Sequence, residues 1–191
     1  MYRIYALILC LCLVGCTQKK DIEVSTQKEN FSYEEVSENF SKLQCGDIIN
    51  IENSHYISNI AIPGRWKHTL IYLGSLKQVQ ELLDTSFPYY EKIMKMYKTQ
   101  KEILVLDANV GGVQIRTFDQ MANLKNESYL KAMTCFRFLK ENTFIKDFLK
   151  NALDYLNYPY DYQMDLSNDQ ELYCSEPVSY THLRAHETGA Y

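Results

Sequence analysis

The run His68-Thr69-Leu70-Ile71-Tyr72-Leu73-Gly74 constrains this chain most, because one imidazole leads a stretch of apolar, aromatic and β-branched residues closed by glycine. That composition predicts a buried strand with the histidine at its entry. Ile48 to Ile51, Glu102 to Ala108, Val113 to Arg116 and a run around Met133 to Phe138 predict further strands, with Gly111-Gly112 as a hairpin signal. Helical patterns alternate with them. Ser32-Tyr33-Glu34-Glu35 has capping-box form with Phe31 and Val36 placed as a hydrophobic staple, which predicts a helix from Tyr33 to about Leu43. Ser75 to about Gln100 reads as two short helices broken near Pro88, and Phe118 to Leu124 as a helical turn. Thr143 to Leu156 carries Phe144, Phe148, Ala152 and Tyr155 at helical spacing and is stopped by Asn157-Tyr158-Pro159. The expected fold class is α+β, a small antiparallel sheet flanked by helices. With 191 residues, 46% of them hydrophobic, the chain has the material for one core.

The amino terminus reads as an address. Met1-Tyr2-Arg3 is a short basic start, and Ile4 to Val14 is apolar but too short to span a bilayer as a helix, the form of a signal peptide. Its end, Leu13-Val14-Gly15-Cys16, resembles a bacterial lipobox, which implies removal of residues 1–15 and lipidation of Cys16. A plain secretory signal with an incidental cysteine is the alternative. Residues 16–30 are polar and suit a flexible tether, and 31–177 form the expected folded domain. The string Val178 to Thr188 resembles translated sequencing-adapter read-through, so 178–191 are expected to be a non-native tail. His182 and His186 are accordingly not enlisted as catalytic residues or metal ligands.

Cysteine usage sharpens this picture. Cys10 and Cys12 leave with the signal and Cys16 takes lipid, so the domain keeps Cys45, Cys135 and Cys174. Three thiols cannot all pair within the chain, even in a compartment that permits disulfides. A Cys45 to Cys135 bridge is compatible with the sequence. The net charge of −4 and the absence of a basic run argue against nucleic acid as a partner.

Cys174, in Leu172-Tyr173-Cys174-Ser175-Glu176, follows a polar turn containing Asp169 that can cap a helix opening at or just before it. A thiol at a helix amino terminus with an imidazole nearby is the arrangement that generates a thiolate nucleophile. His68 is the histidine in a strand-like context, and Asp107, at the end of the next predicted strand, is the carboxylate best placed to orient it. Each residue singly also has a structural reading: a buried small hydrophobe for Cys174, a satisfied strand-edge histidine for His68, an Asx turn for Asp107. Tyr158, Tyr160 and Tyr162 near this site either line a groove or pack. No CxxC or HExxH spacing is present, the HxxxH pair His182 and His186 lies in the expected non-native tail, and neither metal nor cofactor is expected.

Taken in order, Cys45-Gly46-Asp47-Ile48-Ile49, His68 to Gly74, Leu106-Asp107-Ala108 with Gly111-Gly112-Val113, Tyr158-Pro159-Tyr160-Asp161 and Tyr173-Cys174-Ser175-Glu176 resemble a known pattern. The family is the circularly permuted papain-like amidase/peptidase family related to NlpC-type cell-wall hydrolases. The resemblance implies a permuted papain-like fold in which the histidine strand precedes the cysteine helix, the reverse of papain's order. It implies Cys174 as nucleophile, His68 as base and Asp107 as orienting residue. The family more often has glutamate at the Asp107 position, an apolar residue in place of Thr69, and a continuing apolar helix where Pro177 stands.

The expectation is therefore a cysteine amidase or peptidase of the bacterial cell envelope, lipid-anchored on the extracytoplasmic side of a membrane. Its substrates would be peptidoglycan peptides or lipid-linked amides or esters. A non-catalytic envelope lipoprotein binding a ligand in the same cleft is the alternative, and a disulfide-stabilised structural protein a third.

Overall fold

The computed structural model describes residues 30–54, 65–162, 171, 172, 174, 175 and 178. The expected signal peptide, most of the tether, residues 55–64, Asp169 and residues 179–191 lie outside the described residues. Five strands form one antiparallel sheet: β1 (Ile48–Asn53), β2 (His68–Ser75), β3 (Ile103–Asn109), β4 (Gly112–Thr117) and β5 (Leu130–Phe136). They lie in the order β4-β3-β2-β1-β5.

Successive side chains of a strand point to opposite faces, and here both faces are covered, so the central strands read as continuous apolar runs. Ile71, Leu73, Leu104 and Leu106 face one helical layer, whose main element is α5 (Asn142–Leu153). Ile145, Phe148, Leu149, Ala152 and Leu153 form its buried stripe, at spacings of three and four residues. Ile49, Ile51, Leu70, Tyr72 and Val105 face the other layer, where α1 (Tyr33–Ser37) contributes Val36 and α4 (Phe118–Ala122) contributes Phe118 and Met121. The two short helices expected after β2 are α2 (Leu76–Leu82) and α3 (Tyr90–Met94).

The structure corrects the sequence expectation at several points. The helix expected to Leu43 stops at Ser37 and resumes as a 3-10 turn over Phe40–Lys42. The Asn39 side-chain amide takes Glu35 O, which a continuing helix would offer to Asn39 N–H, and that N–H donates to Val36 O instead, while the Ser37 hydroxyl shares Glu34 O with Glu38 N–H. The capping box forms, with Val36 buried and Phe31 46% exposed. The hairpin turn is Val110-Gly111 rather than Gly111-Gly112, because Asn109 pairs with Gly112. The Cys45 to Cys135 bridge is absent: Cys45, Cys135 and Cys174 are all free thiols, and Cys45 donates to Leu73 O at 2.8 Å.

After α5 the chain turns at Asn157, whose φ of 71° is a conformation asparagine tolerates better than most residues. It then runs along the free edge of β4. Asn157 N–H donates to Val113 O and Val113 N–H to Tyr158 O, both at 2.9 Å. This strap in turn holds Leu172, which donates to Pro159 O at 2.9 Å and accepts from Asp161 N–H at 3.2 Å. Leu172 is fully buried against the α5 layer.

Candidate active site

His68 is the first residue of β2 and is buried, paired across the ladder with Ile51. Register brings Asp107 opposite Leu70, so His68 and Asp107 are diagonal neighbours on one face of adjacent strands. The two side chains meet there, His68 Nε2 lying 2.5 Å from Asp107 Oδ1. Thr69, on the opposite face of β2, donates its hydroxyl to Asn50 Oδ1 at 2.8 Å, which gives a polar residue a cross-strand partner where an apolar one is commoner in the resembling family.

The strap delivers the third group. Two residues beyond the pinned Leu172, Cys174 is buried, begins a turn with Ser175, and hydrogen-bonds with His68. With Nε2 committed to Asp107, Nδ1 is the ring nitrogen that remains for the thiol. Cys174, His68 and Asp107 thus come together from three separated parts of the sequence.

Charge at this site is strongly organised. Burial by itself would push His68 toward the neutral form, but the Asp107 carboxylate and the hydrogen bonds to Asp107 and Cys174 override it and raise the imidazole to about 10. Burial likewise opposes ionisation of Asp107, yet His68 and Arg116 hold its carboxyl down at about 2. The stable state is an imidazolium facing a carboxylate on one side and the sulfur on the other.

Two members of this network escape the sequence reading. Arg116 Nη2 donates to Asp107 Oδ2, and Asn109 Nδ2 donates to the same oxygen at 3.2 Å. The signal for Arg116 was available in principle, since a two-residue turn at Val110-Gly111 sets Gln114 opposite Asp107 and Arg116 one diagonal away. Of the three tyrosines noted above, Tyr160 borders the site: burial, then Cys174 and Asp107, raise its phenol to about 12. Tyr158 packs on Tyr155, and the exposed Tyr162 donates its hydroxyl to Val110 O.

A family model for permuted papain-like amidase enzymes, the YaeF/YiiX or C92 family, matches residues 42–187. The chain belongs to this family. No curated protein matches it. Membership in the permuted papain-like amidases accounts for the strand-before-cysteine order, and the five-stranded antiparallel sheet with helices on both faces is the α+β architecture expected for it. Among the described residues, no group of three or more His, Cys, Asp or Glu side chains is arranged to hold a metal ion.

Proposed function

We propose that this family member is an envelope thiol hydrolase that cleaves amide bonds through Cys174, His68 and Asp107. The observation that carries the reading is the burial of His68 between the Asp107 carboxylate and the Cys174 thiol. In the reaction, the Cys174 thiolate adds to the carbonyl carbon, a C–S bond forms, and the carbonyl π pair moves onto oxygen. Collapse of that tetrahedral intermediate breaks the C–N bond as His68 gives its proton to the departing amine. Water then adds to the thioester, His68 takes its proton, and C–S cleavage releases the acid and restores the thiolate. Asp107 stays ionised throughout, holding the ring and its positive charge. Backbone N–H groups near Cys174 are the natural donors to the oxyanion.

The substrate class we propose is peptidoglycan peptides or lipid-linked amides or esters. What supports it is the lipobox-like Leu13-Val14-Gly15-Cys16, whose lipidation would hold the domain at a membrane surface outside the cytoplasm. The test is hydrolysis of purified peptidoglycan peptides and of lipid-linked amides by the full chain, with Cys174→Ser and His68→Ala beside it. Product release abolished in both variants supports the reading. A thiol inert to iodoacetamide, with no turnover of either class, supports a ligand-binding lipoprotein instead.

A further inference from the structure

Asp107 is an unusual orienting group because it is shared. Oδ1 meets the imidazole of His68, while Oδ2 receives Arg116 from β4 and Asn109 from its own strand. These donors approach from different directions, so rotation of the carboxylate about its χ2 bond is closed off. Arg116 is only 22% exposed in its side chain, and among the described residues its Nε is buried with no hydrogen-bond partner. An arginine held at that cost has Asp107 as its ion-pair partner.

Resting on the thiol-hydrolase reading, we infer that Arg116 is a positioning residue: by holding Oδ2 it fixes Oδ1 on His68 and draws off part of the carboxylate's charge, so that the imidazolium still yields its proton to a leaving group. The argument is a balance. A buried carboxylate facing histidine alone stabilises the imidazolium so well that it becomes a poor acid, whereas a second cation on the far oxygen weakens that hold. Among the described residues around His68, the following groups enter the balance. Asp107 lies on the β3 side with Arg116 behind it, Cys174 and Tyr160 come from the strap region, and the β1 side presents the apolar Ile51.

The experiment follows the His68 ring by NMR across pH in the full chain, in Arg116→Met, Arg116→Gln and Arg116→Lys, with iodoacetamide alkylation of Cys174 measured beside it. In the neutral variants the imidazole midpoint should rise by about one pH unit, and in lysine it should return toward the parent value. A residue that merely stabilises the fold would lower the melting temperature without moving that midpoint. Glutamine keeps a donor for Oδ2 and serves if methionine prevents folding. An unmoved midpoint in the folded neutral variant, or a lysine variant shifted as far as the neutral one, overturns the role assigned to Arg116. The parent reading has its own arm: alkylation of Cys174 indifferent to His68→Ala would sink the hydrolase and the Arg116 role together. Slowed alkylation in His68→Ala beside an unmoved imidazole in Arg116→Met sinks the Arg116 role alone.

Discussion

Gly112 stands so close to the strap that a Cβ built on it would lie 2.3 Å from the carbonyl oxygen of Tyr158. Its φ of 86° is a second reason for glycine, since side chains are strained there. Because the strap also pins Leu172 two residues before Cys174, the contact reaches the site indirectly.

Gly112→Ala should therefore do two things. Melting should show a loss of about 1–3 kcal/mol, the usual cost of forcing an extra methyl into a filled space. Alkylation of Cys174 should slow in the protein that remains folded, because the strap must retreat from β4. Unchanged alkylation in a destabilised protein would mean that Leu172 keeps its place without the strap.

Asp107→Asn keeps the shape of the orienting side chain and removes its charge. Amide hydrolysis should fall by a factor on the order of 100 to 10,000, as when a triad carboxylate is neutralised. The drop should appear in kcat more than in KM, since Asp107 is buried behind His68 and acts through it. A variant that loses affinity while keeping turnover would contradict that placement.

The same pair gives stability a defined pH window. Asp107 sits at about 2 in the fold against an ordinary 3.8, so its contribution is present above about pH 4 and is lost as pH falls through 2. His68 sits at about 10 against an ordinary 6.5, so its contribution is complete below pH 6.5 and disappears as pH rises through 10. Melting temperature measured across pH should peak between these limits, and Asp107→Asn should flatten both flanks.

Selective labelling follows from the two other domain thiols. Burial, helped by Asp47, pushes Cys45 up to about 12, and partial burial with the neighbouring Asp47 pushes Cys135 up to about 11. At pH 6 to 7 both are almost wholly protonated and slow to alkylate. Mass spectrometry after brief iodoacetamide treatment should find the label on Cys174, and labelling of Cys135 first would count against an activated thiol at the site.

Phe148, fully buried in the α5 stripe, packs edge-on against Phe138 with ring centroids 5.1 Å apart. Phe148→Ala should cost about 3–5 kcal/mol, measured by denaturant unfolding. For a domain at the low end of ordinary stability, about 5 kcal/mol, that removes most of the margin.

His68, Asp107 and Cys174 were legible in the sequence because each sits beside a strong local signal: the glycine-closed apolar run, the strand before the hairpin, and the Tyr173-Cys174-Ser175-Glu176 segment. The strands were legible for a related reason, as short β-prone runs covered on both faces show little helical periodicity. Arg116 was not, since a charged residue near the end of a hairpin strand ordinarily points to water. Its role depends on register, and the Gly-Gly pair suggested a turn one residue away from the one that forms. The broken first helix was hidden similarly, in the competition of the Ser37 and Asn39 side chains for backbone carbonyls.

The order of the elements also decides when the groups of the candidate site can meet. Strands β2, β3 and β4 follow one another along the chain and pair as neighbours, so imidazole, carboxylate and guanidinium can assemble through short-range contacts. The sulfur comes from later in the chain, on a segment whose Leu172 is held by the strap and packs in the α5 layer. A chain still emerging from the ribosome thus carries His68, Asp107 and Arg116 before Cys174 has been made. On the thiol-hydrolase reading, the nucleophile is thus the last part of the site to be added.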